Sequence, residues 1–152
     1  MRFYFKITVF LVLSLIAVGG NNVMAKMYLF SDVSGFVVKD GKPVQGAVVE
    51  QEFRWAWEDE VGIKTVETGV DGGFSFPAVI RSSFLGALLP HEPMIEQTIL
   101  IKYQENVYKA WVFDKRVYGQ NSELDGKSIN IYCELGAPLT RKGDIYGICQ
   151  LK

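Results

Sequence analysis

The chain has 152 residues, with 16 Lys and Arg against 17 Asp and Glu, a single His and two Cys. Near-neutral charge without a basic run excludes the electrostatic footprint of a nucleic-acid binder, and a composition 49% hydrophobic and 13% aromatic excludes a disordered chain. One His and two Cys are too few for a zinc finger or a three-His metal centre, and no phosphate-cradling loop is present, so no cofactor is expected.

Arg2 and Lys6 introduce an apolar run, Ile7 to Val18, interrupted only by Thr8 and Ser14. Gly19-Gly20-Asn21-Asn22 breaks it before Val23-Met24-Ala25. A positive start, an apolar stretch of about 12 residues and a small-residue exit form the pattern of a secretory signal peptide over residues 1–25. A membrane anchor needs roughly 20 apolar residues, so cleavage after Ala25 is expected, leaving 26–152 as one domain without a stable membrane anchor. Lys26 follows the cut where a lipoprotein would carry Cys. The expected location is periplasmic or secreted.

Beyond Ala25 the pattern is short period-2 runs separated by Gly-bearing turns, which predicts an all-β fold. Val33 to Lys39 reads as the first strand, with Asp40-Gly41-Lys42-Pro43 as its turn. Ala47 to Trp57 is a long second strand, with Ala47, Val49, Phe53, Trp55 and Trp57 on the core face and Glu50, Glu52, Arg54 and Glu58 opposite. A one-residue slip there would bury charges, so its register is well specified. Lys64 to Thr68 is a short third strand, and Val70-Asp71-Gly72-Gly73 turns into Phe74-Ser75-Phe76, which Pro77 ends. After an irregular stretch from Arg81 to Pro93, Ile95 to Tyr103 and Val107 to Phe113 form a hairpin across Gln104-Glu105-Asn106. Tyr118 to Lys127 is a polar loop, and Ser128 to Leu135 and Ile145 to Leu151 complete the set. About 7–8 short strands without crossover helices predict an antiparallel two-layer β-sandwich, with a closed barrel as the alternative.

One stretch carries a family resemblance. Ser34-Gly35, then Gly41-Lys42-Pro43-Val44-Gln45-Gly46-Ala47, then Asp71-Gly72-Gly73-Phe74-Ser75-Phe76-Pro77, resembles the carboxypeptidase-regulatory-like, or transthyretin-like, β-sandwich domain. The resemblance spans roughly residues 30–77 and implies a fold far more than a function, since this sandwich serves as spacer, enzyme appendage and carrier alike. The transthyretin-like hydroxyisourate hydrolases would require two His, an Arg and a C-terminal Tyr-Arg-Gly-Ser. This chain has only His91 and ends Gly147-Ile148-Cys149-Gln150-Leu151-Lys152, so that activity is not expected.

Cys133 and Cys149 are both in phase with the buried faces of their strands, and a hairpin centred near Arg141 would set them opposite each other. In an oxidising compartment they would close a disulfide; the alternative is two buried thiols. His91-Glu92, between Pro90 and Pro93, could suggest a general base or a ligand pair, but no Ser elbow, second His or reactive Cys completes a site. A loop-fixing hydrogen bond is the expected role of His91. Glu58-Asp59-Glu60 reads as an acidic loop tip, either solvated or facing a partner, since consecutive carboxylates lack calcium-loop spacing. Ser82 to Pro90 places Phe84, Leu85, Leu88 and Leu89 in a segment that would normally be polar. They either cap the core as a helical turn or expose an apolar patch for a partner. Trp55 and Trp57 are expected in the core, ahead of a sugar-stacking platform.

These features predict a non-enzymatic exported module that binds another protein by shape. A small stand-alone sandwich of this kind resembles the periplasmic immunity proteins that bind and neutralise secreted effector toxins of type VI secretion. The expected contacts are Phe84, Leu85, Leu88, Leu89 and His91 together with Glu58, Asp59 and Glu60. A carbohydrate-binding or cell-envelope structural module is the alternative.

Overall fold

The computed structural model describes residues 24–83 and 91–152. The expected signal peptide lies outside them apart from Met24 and Ala25, as do Phe84, Leu85, Leu88 and Leu89. In chain order the strands are β1 (Ala25–Phe30), β2 (Val33–Lys39), β3 (Lys42–Pro43), β4 (Val48–Trp55), β5 (Glu60–Glu67), β6 (Gly73–Phe76) and β7 (Val79–Ser83). They continue as β8 (Ile95–Tyr103), β9 (Asn106–Lys115), β10 (Ile129–Glu134), β11 (Thr140–Lys142), β12 (Ile145–Gly147) and β13 (Cys149–Leu151), with a 3-10 turn at Ser122–Leu124. The described residues are all-β, and their sheets do not close into a barrel.

Two sheets carry the core. One runs β11-β12-β9-β8-β4-β5; the other runs β13-β10-β2-β3, with β6 also on β2; β1 and β7 form a separate ribbon. Val49, Phe53, Trp55, Ile99 and Trp111 from the first sheet meet Val33, Val37, Phe76, Ile129 and Ile131 from the second in one buried cluster. Each such side chain contributes roughly 1.5–3 kcal/mol by leaving water. The alternation predicted for the second strand holds over β4, where Val49, Gln51, Phe53 and Trp55 are all buried. Gln51 is the polar exception, enclosed with no hydrogen-bond partner for its amide.

The number and direction of the strands depart from expectation. Among the described residues there are 13 strand segments in place of 7–8, because β1 and β7 pair with each other and the C-terminal stretch divides. Ser82 and Ser83, expected in a loop, lie in β7 opposite Lys26 and Ala25. The arrangement is not wholly antiparallel, since β2 and β10 run parallel from Val33↔Ile129 to Val38↔Glu134. A parallel pair needs a long crossover, which the whole of β3 to β9 supplies. Ile145 to Leu151 is also not one strand: β12 joins β9 and β11, whereas β13 joins β10. Between them Gly147 lies so close to Ala110 that a Cβ there would stand 2.2 Å from the Ala110 oxygen.

Two glycines answer to large neighbours in the same way. A Cβ at Gly35 would meet the Phe74 ring at 2.6 Å, and one at Gly62 would meet the Phe53 ring at 2.1 Å. Each aromatic lies across the bare backbone of its cross-strand partner, filling the space a side chain would occupy.

Cys133 and Cys149 are directly opposed between β10 and β13 and form a disulfide, with Cα atoms 4.2 Å apart. The pairing is as expected, but the connection is not a simple hairpin, since β11 and β12 lie between the two strands and belong to the other sheet.

The polar loop before β10 is anchored by a network the sequence did not reveal. Glu123 is buried, and its Oε1 accepts from the Ser31 backbone at 3.1 Å and from Gln97 Nε2 at 2.8 Å while pairing with Lys115 Nζ at 2.9 Å. Its Oε2 accepts from Ser31 Oγ at 2.7 Å, and Ser31 Oγ in turn accepts from the Asn121 backbone at 2.8 Å. Burial alone would push the Glu123 carboxyl up. The hydrogen bonds from Gln97, Lys115 and Ser31 and the adjacent ammonium outweigh it, so its pKa falls below the ordinary carboxylate value. Burial lowers the Lys115 pKa, and Glu123 offsets this only in part.

Removing one member strands the other charge in the core, at a cost of about 3–5 kcal/mol. Lys115→Met or Glu123→Leu alone should therefore destabilise strongly in urea denaturation, and the double variant should be less destabilised than the two losses added. Because the folded pKa of Glu123 is depressed, its contribution is complete above about pH 4.3 and disappears as pH falls through the lower folded value. Glu123→Gln should flatten that acid limb. Reduction of the disulfide, or Cys133→Ser with Cys149→Ser, should cost about 3 kcal/mol in the same measurement.

Candidate functional site: an aromatic and acidic rim

At the end of the six-stranded sheet where β4 turns into β5, the chain brings several sequence-separated groups together. β4 stops at Trp55, and Asp59 adopts a left-handed φ of 50°, which an Asp tolerates, to close the turn. The Ala56 backbone donates to the Met94 carbonyl at 3.1 Å, tying this turn to the segment entering β8.

Trp55 is buried, as expected, and its Nε1 donates to Tyr118 Oη at 2.9 Å. Trp57 departs from expectation. Had β4 continued, it would have shared the core face with Trp55, but the chain has already turned, and the indole is 39% exposed. Its ring stacks on His91 with centroids 3.9 Å apart and planes 25° from parallel. His91 Nε2 lies 2.8 Å from Tyr118 Oη. With that nitrogen unprotonated, the Tyr118 hydroxyl accepts from Trp55 and donates its own proton to His91. His91 therefore makes the loop-fixing hydrogen bond expected of it, and it also supports an exposed indole.

Burial raises the Tyr118 pKa and the charge of Glu58 acts in the same direction, against the hydrogen bond from Trp55. Trp55, Tyr118, His91 and Trp57 form one linked cluster with an exposed indole at its edge. Tyr118 falls in a stretch that reads from sequence as a polar loop, and nothing local links it to positions 55 and 91.

The acidic tip is smaller than expected. Glu58 and Asp59 are exposed in the turn, but Glu60 is the first residue of β5 and opposes Trp55. Its carboxylate is engaged by the Arg81 guanidinium, whose Nε lies 3.1 and 3.2 Å from the two oxygens. That guanidinium also sits 5.8 Å from the Phe53 ring centroid, so β7 is clamped to the β5 end of the sheet. Glu92, Glu96 and Asp114 are exposed on the neighbouring segments, and Arg54 and Arg116 are the exposed cations among them. Glu58 and Asp59 are the exposed carboxylates of the turn that carries Trp57, and Glu92 follows His91 in the chain.

A separate groove of about 510 Å³ runs past Asp125, Lys127, Asn130, Lys142 and Asp144. Its charges are of both signs and give it no common field. Among the described residues, no group of three or more His, Cys, Asp or Glu side chains could hold a metal ion, and no helix is long and apolar enough to cross a membrane.

Tyr118→Phe leaves the Trp55 indole N–H without its acceptor and should cost about 1–3 kcal/mol in urea denaturation. Trp57→Ala, at an exposed turn, should cost under about 1 kcal/mol. Equal losses would mean that Trp57 is a packing residue and not a surface one.

No curated protein and no solved structure matches the chain. A family model described as a domain of unknown function (DUF6795) matches residues 33–138, a span that includes Trp57, His91, Tyr118 and the Lys115–Glu123 pair. With well over half of its length inside that match, the chain belongs to the DUF6795 family.

Proposed function

We propose that the protein is a non-enzymatic exported module that binds another protein through the Trp57–His91 rim, acting as an immunity protein that neutralises a secreted effector toxin in the periplasm. The observation that carries this reading is the exposed indole held in place by His91 and, through it, by Tyr118 and Trp55. A Trp already fixed before contact loses little conformational freedom on binding, the property of an interface anchor. The surrounding carboxylates Glu58, Asp59, Glu92 and Glu96 favour a basic partner face and would accelerate its approach. The disulfide is compatible with an oxidising, extracytoplasmic location.

The test is protection of cells that export the chain while a toxin secreted by their neighbours reaches the periplasm, with binding to that toxin measured in parallel. Protection is expected from the native chain. Trp57→Ala should weaken binding by about 30-fold or more, and Glu58→Lys with Asp59→Lys should slow association and remove its salt dependence. A toxin held equally well by all three proteins would place the contact elsewhere and overturn the rim. The exposed indole also favours one second reading, carbohydrate binding, which a glycan-dependent shift of Trp57 fluorescence would support at the expense of the first.

A further inference from the structure

The edges of the two sheets are guarded unequally. β3 and β13 have two and three residues, and β11 is three residues long and carries Arg141 and Lys142. Shortness and charge are the usual means of preventing edge pairing. β5 is not short, and its charges, Glu60, Lys64 and Glu67, are of both signs. It ends its sheet, runs for eight residues, and presents Val61 at 54% and Ile63 at 58% exposure.

The strand is also complementary to itself. When a strand pairs antiparallel with its own copy about a two-fold axis, facing residues keep to one sheet face only if the axis passes through a residue. An axis at Lys64 sets two ammonium groups opposite each other, and one at Thr65 sets Ile63 against Glu67. An axis at Ile63 leaves Glu60 facing Val66 and Lys64 facing Gly62. An axis at Gly62 places Val61 against Ile63 twice and Glu60 against Lys64 twice, with a residue lacking a side chain at the centre. Only that register matches apolar with apolar and acid with base.

We infer that β5 is a self-association edge, through which two copies of the chain join their six-stranded sheets about an axis at Gly62. The occupant is a second copy because this register sets the exposed Val61 and Ile63 against each other twice and brings Lys64 to Glu60, whose carboxylate Arg81 already shares. The edge adjoins the turn that carries Trp57, so self-association is measured on the chain alone, without toxin, and its outcome does not depend on toxin binding.

Sedimentation velocity of the exported, disulfide-bonded protein over a range of concentrations tests it. A monomer–dimer equilibrium is expected, with the amides of 60–67 gaining hydrogen-exchange protection as dimer accumulates. Lys64→Glu creates two like-charge oppositions and should weaken the dimer by about tenfold or more. Ile63→Lys, at an exposed position that does not threaten the fold, should also yield monomer. A native chain that stays monomeric up to about millimolar concentration, or a dimer that Lys64→Glu and Ile63→Lys leave intact, overturns the inference.

Discussion

The pairing of Lys115 with Glu123 is the constraint on which the rest of the arrangement depends. It holds the end of β9 against the 3-10 turn, and through Ser31 and Gln97 it adds the exit of β1 and the middle of β8. Tyr118 lies on the short connection between the two paired residues, and its backbone carbonyl accepts from Tyr28 in β1 at 2.9 Å. Fixing both ends of that connection fixes the hydroxyl that positions Trp55 and His91. Ser31 also closes β1, whose partner β7 brings Arg81 to Glu60 at the other side of the rim. A buried polar cluster thus determines where an exposed surface sits.

Burying two charges is a poor way to gain stability, because the desolvation cost is comparable to the attraction recovered. What the pair supplies is discrimination among packings. An apolar connection between β9 and β10 could slide across the core with little penalty, whereas a carboxylate that needs Ser31, Gln97 and Lys115 together has one acceptable position. Gln51, enclosed in the core without such partners, shows the contrast: its amide bonds to nothing and specifies nothing by hydrogen bonding.

The exposed rim rests on the same economy. An indole on a free loop would have to be ordered when a partner arrives, but the stack on His91 and the hydrogen bond behind it have already done so. Burial raises the Tyr118 pKa, and His91 lies against the Tyr118 ring as well as the Trp57 indole.

Much of the architecture was legible in residue order, and the reason is local. A half-buried strand must alternate, so Val49, Phe53 and Trp55 declare their face, and Cys133 and Cys149 declare theirs. Turns need particular backbones, so Asp40-Gly41 and Gly72 mark where the chain reverses. The partnership of β1 with β7, the parallel alignment of β2 with β10 and the division after Gly147 were not legible, because each depends on groups more than 30 residues apart or on a close approach to another strand. Period-2 reasoning carried Trp57 one step too far for the same reason: alternation cannot say where a strand stops, and the turn closed by Asp59 decides it. By itself the sequence determined the all-β class, the buried faces of β4 and β8 and the cysteine pair, since these follow from contacts between near neighbours and a two-residue period. Only the tertiary structure decided that Lys115 would meet Glu123 and that Trp57, His91 and Tyr118 would form one surface, because charge pairing and ring stacking act through space and leave no period in the chain.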